Sequence, residues 1–400
     1  MVDPKAFYRD FDDLLQKIRK GKTGKGFLVS ILKEVQRYFG ESLKIGGFRI
    51  YEERADHFIF VESDGSAPAL DEQIAKESPA AQMALSHGSY IFDQRGLSFQ
   101  QNQTTGQYSI PAAMVIQGPA HRWIVVVELR SGWMREEVMF SLNAIATSIN
   151  QRLFAEAIQT DLEQAAQIQS SLLPQELPKL KDYDISVRYQ PTEIVGGDLY
   201  DFFTFEADTL GVCIGDASGH GLPAALLVRD CVTGLRMGLE RHLKMVYSLE
   251  KLNSVVHRST YSSRFVSLFY GEIEPDGNLI YVNAGHPMPF IITDDGVWDL
   301  KATGLIIGAL PNIKLQRAFA NIPPGGVFVL YTDGIFEREN RDEESFNIDR
   351  LKELVRKNKE KNAAEIVDII FDTVFEFGGK IKWEDDTTVV VIKREKRAAH

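Results

Sequence analysis

Cysteine is almost missing: Cys213 and Cys231 are the only two in 400 residues, and both lie in apolar segments. A disulfide framework is thereby excluded, and reduced, buried thiols are expected. Long apolar runs are missing too, since stretches such as Ile124 to Val127 and Val327 to Tyr331 fall far short of the ~20 residues that a bilayer span needs. No segment is expected to cross a membrane. Positive charge is in deficit, with 45 Lys and Arg against 56 Asp and Glu for a net charge of −11. That balance leaves no footprint for nucleic-acid phosphates and points instead to acidic side chains that hold metal. The eight histidines are too scattered for a zinc site. Met1-Val2-Asp3-Pro4, followed by Asp10, Asp12 and Asp13, lacks the basic-then-apolar order of a signal peptide, so a cytoplasmic location is expected. No repeat or low-complexity tract appears. At 44% hydrophobic and 25% charged residues the composition is globular, and at about 150 residues per domain the length suggests two or three domains.

Residues 1–20 form an N-terminal segment. From 21 to 135 the pattern predicts a helix over Gly26 to Phe39, strands over Leu43 to Tyr51 and His57 to Val61, and a helix over Ser78 to Leu85. Strands at Ser89 to Phe92, Ala112 to Gln117 and Trp123 to Leu129 complete an antiparallel sheet with helices against it. A long helical pattern without Pro or Gly follows, over 136–174 and ended by Pro174. Leu142, Ile145, Ile149, Leu153, Ala157, Leu162, Ala166 and Leu173 recur on it at spacings near three and four, which fits either a coiled-coil seam between two copies or an ordinary packed helix. Over 175–395 the texture becomes short β-branched or aromatic strands with Gly-rich turns and helices opening at Pro223, Ser248, Ile348 and Ala364. The expected class is α+β, and Arg394 to Arg397 reads as a solvated tail.

Two glycine-rich strings fail as nucleotide sites. Gly21-Lys22-Thr23 would need its first loop glycine at Gln16, and Gly215, Gly219 and Gly221 do not fit G-x-G-x-x-G. What remains is a set of aspartates where apolar strands emerge: Asp198 after Gly196-Gly197, Asp216 after Leu210 to Ile214, Asp333 after Val327 to Tyr331, and Asp385-Asp386 before Thr387 to Ile392. Singly, each fits a turn or a cap, as Asp276-Gly277 and Asp295-Gly296 do. Together, carboxylates delivered to buried strand ends would repel and protonate unless a hard divalent cation such as Mg²⁺ or Mn²⁺ joined them. His220 and His286, each in a Gly-His setting, are expected to shape loops by hydrogen bonding, and Glu193 and Asp201 flank the first aspartate.

The order of these motifs is recognisable. Pro191-x-x-x-Val195-Gly196-Gly197-Asp198-Leu199-Tyr200-Asp201, Gly215-Asp216-Ala217-Ser218-Gly219-His220-Gly221, Asn283-Ala284-Gly285-His286-Pro287, Tyr331-Thr332-Asp333-Gly334 and Asp385-Asp386-x-Thr388 resemble the SpoIIE-like, RsbU-like branch of the PPM (type-2C) protein serine/threonine phosphatases. Ala166-Gln167-Ile168-Gln169-x-x-Leu172-Leu173-Pro174 resembles the segment that precedes such catalytic domains, and residues 21–135 resemble a GAF sensor domain, with PAS as the alternative.

The resemblance implies an α/β/β/α sandwich with two Mn²⁺ or Mg²⁺ ions. Asp216 would bridge both, Asp333 and Asp385 would complete one, and Asp198 and the Ala217 carbonyl would serve the other. Gly197, Asp386, His220 and Arg188 are supporting candidates. It implies dephosphorylation of phospho-Ser/Thr by activated water, on a partner in this family often a STAS-domain anti-sigma-factor antagonist, gated by the sensor domain. Ser218 stands where eukaryotic members carry a histidine acid. His220 could serve as the acid only if its loop folds back, and Arg188 is the candidate phosphate clamp. Two other readings compete: an inactive phosphatase-fold scaffold, against which all four acidic positions are filled, and a two-metal phosphodiesterase, for which no basic groove is evident.

Overall fold

A computed structural model describes residues 4–20, 26–64, 72–94, 110–239, 244–259 and 264–396. The chain divides into two compact units, Met1–Asp161 and Leu162–His400. Gly21-Lys22-Thr23 lies outside the described residues.

The first unit contains α1 (Pro4–Lys20), α2 (Phe27–Phe39), β1 (Ile45–Arg54), β2 (His57–Ser63), β3 (Gln73–Ala75), α3 (Pro79–His87), β4 (Ser89–Ile91), β5 (Ile110–Gln117) and β6 (Arg122–Leu129). The strands make one antiparallel sheet in the order β3-β2-β1-β6-β5-β4. Alternation along β6 explains its layers, because successive side chains face opposite sides. Val125 and Val127 join a core with Leu14, Ile18, Leu32 and Phe39 of α1 and α2, whereas Ile124 and Val126 join Ala80, Ala81 and Ala84 of α3. α1 is a helix the aspartates of this segment disguised. Its Phe11, Leu14 and Ile18 recur at helical spacing and are buried.

α4 (Arg135–Leu172) is a single 38-residue helix, ~57 Å long at 1.5 Å per residue. Leu142, Ile145 and Ile149 lie fully buried in the first unit's core. The first half of the expected seam is thus occupied within the chain, and among the described residues Phe154, Ile158 and Ile168 are large apolar side chains exposed beyond it.

The second unit contains β7 (Tyr183–Gln190), β8 (Asp198–Thr204), β9 (Leu210–Ala217), α5 (Leu222–Leu239), α6 (Met245–Ser259), β10 (Val266–Ile273), β11 (Asn278–Ala284), β12 (Phe290–Ile292), β13 (Val297–Asp299), β14 (Ala318–Asn321), β15 (Val327–Tyr331), α7 (Asp333–Phe336), α8 (Ile348–Asn358), α9 (Ala363–Phe377) and β16 (Thr387–Arg394). Two five-stranded antiparallel sheets, β14-β11-β10-β9-β8 and β13-β12-β15-β16-β7, pack face to face. Val212, Ile214 and Phe269 of one meet Phe328, Leu330 and Val390 of the other. The Phe269 and Phe328 rings stand 6.0 Å apart, edge to face, and each such buried side chain contributes roughly 1.5–3 kcal/mol. The outer faces are covered by α5 and α6 on one side and α8 and α9 on the other, giving the expected α+β architecture of helices, sheet, sheet, helices.

Three local expectations are corrected. Arg394 is no solvated tail residue: it ends β16, is buried, and its Nη1 donates to the Ile322 carbonyl at 2.8 Å. Asp333-Gly334 opens a helical turn, with the Glu337 N–H donating to the Asp333 carbonyl. Asp216 lies inside β9, which runs past Ile214 to Ala217. Cys213 and Cys231 are free, buried thiols, and no helix among the described residues is long and apolar enough to cross a membrane.

Candidate metal centre

Strand pairing delivers the first two aspartates. In the β8–β9 ladder Asp198 stands directly opposite Asp216, and in the β9–β10 ladder Asp216 stands opposite Ser267. The other sheet supplies the rest from neighbouring strands. β15 runs into Thr332 and Asp333, and β16 starts immediately after Asp385-Asp386. Two threonines join the sheets, because Thr332 Oγ1 and Thr388 Oγ1 both donate to Asp198 Oδ2, at 2.8 and 2.5 Å.

The loop before β8 explains the Gly-Gly pair. A Cβ on Gly196 would lie 2.1 Å from Tyr189 Oη, and one on Gly197 would lie 2.9 Å from the Ala217 carbonyl oxygen. Only a bare backbone can approach so closely. The gap this leaves is used by Asp386, whose Oδ1 accepts the Thr192 N–H at 2.7 Å and whose Oδ2 accepts the Gly197 N–H. Asp385 in turn accepts the Asp386 N–H at 2.8 Å.

The site's field is strongly negative. Burial, then the Asp216 charge, push the Asp198 carboxyl well above its ordinary range, although the two threonine hydroxyls oppose the shift. Asp216 is pushed up to about 8 by burial and then by Asp333, Asp385, Asp386 and Glu337. Asp333 is raised to about 6 by burial and then by Asp385 and Glu337. Asp386 is raised by burial, with its two backbone N–H bonds pulling the other way. These acids therefore share one field, although among the described residues no three His, Cys, Asp or Glu side chains already form a coordination set. A cavity of about 320 Å³, bounded by Gly334, Glu337, Arg338, Glu339, Glu384 and Asp385, opens at the Asp385 edge of the cluster.

Asp198, Asp216, Asp333, Asp385, Asp386, Gly197 and the Ala217 carbonyl are thus brought to one end of the sandwich. Arg188 is not. Its Nη1 lies 3.3 Å from Asp368 Oδ1 and its guanidinium sits 4.5 Å from the Phe371 ring, both on α9. His220 is 83% exposed and bonds Glu193 through Nδ1 at 2.9 Å, so its loop does not fold back over the acids. Asp201 is buried against Arg236 at 2.7 Å. His286 shapes a loop: its N–H donates to Asn283 Oδ1, its Nδ1 lies 2.9 Å from Ser267 Oγ, and burial drops its pKa to about 3. The sequence reading missed Thr332 and Thr388 as site residues, together with Gln169 and Glu337. Thr332 adjoins Asp333 and Thr388 lies two residues after Asp386, which was the available signal. Arg264 also reaches this region, its Nη1 standing 3.9 Å from where a Gly219 Cβ would be.

Residues 206–395 match the family described as Stage II sporulation protein E (SpoIIE). Those residues are similar to a SpoIIE-type PP2C domain. The likeness is to the PPM serine/threonine phosphatase class. The chain is similar to Protein IcfG of Synechocystis sp., 30% identical over 301 residues, which is 66% of this chain but 46% of IcfG. It is also similar to the phosphoserine phosphatase RsbU of Bacillus subtilis, 28% identical over 243 residues, 60% of this chain and 71% of RsbU. In fold, it resembles the SiaA-PP2C domain of Pseudomonas aeruginosa with a TM-score of 0.54 at 20% identity, covering 60% of this chain and 98% of that one. The SpoIIE match starts after β8, so Asp198 and the Gly196-Gly197 loop stand just outside it.

Proposed function

We propose that the chain removes phosphate from serine or threonine of a partner protein, with two Mn²⁺ or Mg²⁺ ions held by Asp198, Asp216, Asp333, Asp385 and the Ala217 carbonyl. One observation carries the reading: aspartates from both sheets converge where their carboxyls are driven above the ordinary range, Asp216 to about 8 and Asp333 to about 6. The donor set fits a hard cation. It is all oxygen, and Asp198 Oδ1 is buried without a hydrogen-bond partner although Oδ2 receives two. Bound there, such ions would make water more acidic and neutralise charge on phosphoryl oxygens.

The residues of the chain do the rest. Thr332 and Thr388 fix the Asp198 carboxylate, Asp386 holds the loop in front of it, and Arg264 beside Gly219 would orient an anionic phosphate. The phosphoserine substrate class is supported by the likeness to RsbU. A STAS-domain anti-sigma-factor antagonist is the partner this reading selects. The first unit, an antiparallel sheet clothed by helices, would be a GAF-like sensor, in which a ligand or protein shifts α4 and so gates the site. In a dimer, α4 from Leu153 onward would pair with its copy.

The test is hydrolysis of a phosphoserine protein and of p-nitrophenyl phosphate with Mn²⁺, against Asp216→Asn. Activity well above that control is expected, and activity equal to it with both substrates would overturn the reading. Sedimentation showing only monomer would remove the dimer.

A further inference from the structure

Resting on that reading, we propose that Gln169 of α4 is a positioning residue that holds the peptide in front of Asp198 and so sets the affinity of the site for its cations. Gln169 is 7% exposed, whereas its neighbours Ile168 and Ser170 face solvent. Its side-chain amide grips one residue twice: Nε2 donates to the Gly196 carbonyl at 2.5 Å, and Oε1 accepts the Gly196 N–H at 3.1 Å. A planar amide is the side chain suited to this, since it offers a donor and an acceptor side by side.

The grip falls on a segment with no slack. Gly196 is held by Gln169, Gly197 gives its N–H to Asp386 and its carbonyl to the Ala217 N–H at 2.9 Å, and Asp198 is held by two threonines. The first of these tethers comes from the last turns of α4, and the others come from the sheets and acid motifs of the same unit. The end of α4 is also fastened further along β8, because Arg236 donates to the Leu172 carbonyl at 2.6 Å and to Asp201 Oδ2 at 2.7 Å. β8 is therefore tied to one helix end at both Gly196 and Asp201. Mg²⁺-like sites demand near-ideal octahedral geometry, so a small displacement of the Gly196 peptide alters the Asp198 and Ala217 oxygens together. A residue that orients cation-holding groups without touching the cation is worth about 10- to 100-fold in metal affinity.

The experiment uses the full chain and two variants, Gln169→Met, which keeps the volume and removes both bonds, and Gln169→Glu, which keeps the acceptor but sets a carboxylate oxygen against the Gly196 carbonyl. Mn²⁺ binding is measured by calorimetry, and amide exchange at Gly196 and Gly197 is measured in metal-free protein. Both variants should bind Mn²⁺ at least about tenfold more weakly and exchange Gly196 faster, while kcat at saturating Mn²⁺ stays within about threefold of the parent. Ile168→Ala, on the exposed side of the same turn, should change none of these. Mn²⁺ affinity within about twofold of the parent in either folded variant overturns the role of Gln169 and leaves the phosphatase reading standing. A parent chain that binds no Mn²⁺ overturns both.

Discussion

Asp386 and Asp216 are separated by one ladder of strands and a loop, yet they are built into the protein in opposite ways. Both oxygens of Asp386 accept backbone N–H groups, from Thr192 and Gly197. Asp216 has four acids, Asp333, Asp385, Asp386 and Glu337, as the largest influences on it after burial. A carboxylate whose two oxygens are held by backbone N–H groups serves to hold the fold, whereas one surrounded by acids needs a proton or a cation. Asp198 combines the two, with Oδ2 filled by Thr332 and Thr388 and Oδ1 buried without a partner. On the proposed function, Asp386 would hold the loop, and Asp216, Asp333, Asp385 and Asp198 Oδ1 would hold the cations.

Asp216→Asn tests this contrast most severely. Removing the charge that would be shared by two ions should lower turnover of a phosphoserine substrate by about 10³-fold, the equivalent of several kcal/mol of lost transition-state stabilisation. The same change should raise the melting temperature of the metal-free protein by a few degrees, roughly 2–4 °C per kcal/mol of repulsion relieved. Asp386→Ala should do the reverse to stability. It strands the Thr192 and Gly197 N–H groups and should cost about 2–4 kcal/mol in denaturant unfolding. Equal signs for the two stability changes would erase the distinction between them.

Acidity gives a second way to sharpen it. Asp216 and Asp333 have native values of about 8 and about 6, above the ~3.9 of an unfolded aspartate. Between those limits the native state holds protons that the unfolded state has released. The slope of unfolding free energy with pH is then negative. The stability associated with these two groups is present below about pH 4, declines as pH rises through 6 and then 8, and is flat beyond. Thermal melts of metal-free protein from pH 4 to 9 should trace that decline. Saturating Mn²⁺ should flatten it, because a bound cation replaces the protons, and Mn²⁺ affinity should rise over the same interval.

Much of this was legible in the sequence because strand ends carry strong local signals. Buried runs such as Val327 to Tyr331 and Thr387 to Ile392 announce central strands, and the acids beside them mark where those strands emerge. The same signals could not say which acid faces which group. Asp385 and Asp386 are adjacent and chemically identical, and only the close approach of Gly197 makes Asp386 an acceptor for the loop. Thr332 and Thr388 were hidden for a related reason, since their role depends on two sheets stacking across 134 and 190 residues of separation from Asp198. α1 was hidden by composition, its buried side chains being outnumbered by charged ones.

The smallest expected effect concerns Arg188, where the sequence reading chose the right strand and the wrong face. Along β7 successive side chains alternate, so Tyr189, whose Oη approaches Gly196, and Arg188 must point in opposite directions. Arg188 accordingly lies over the buried Phe371 ring and beside Asp368, which is exposed on α9. An exposed ion pair and a cation–π contact of this kind together contribute about 2 kcal/mol or less. Arg188→Ala should therefore lower stability by no more than that, and should leave both Mn²⁺ affinity and the KM for a phosphoserine protein within about twofold of the parent. A KM rise of tenfold or more with unchanged Mn²⁺ binding would mean that substrate reaches across β7 to the α9 face, and the phosphate-orienting role would then pass from Arg264 to Arg188.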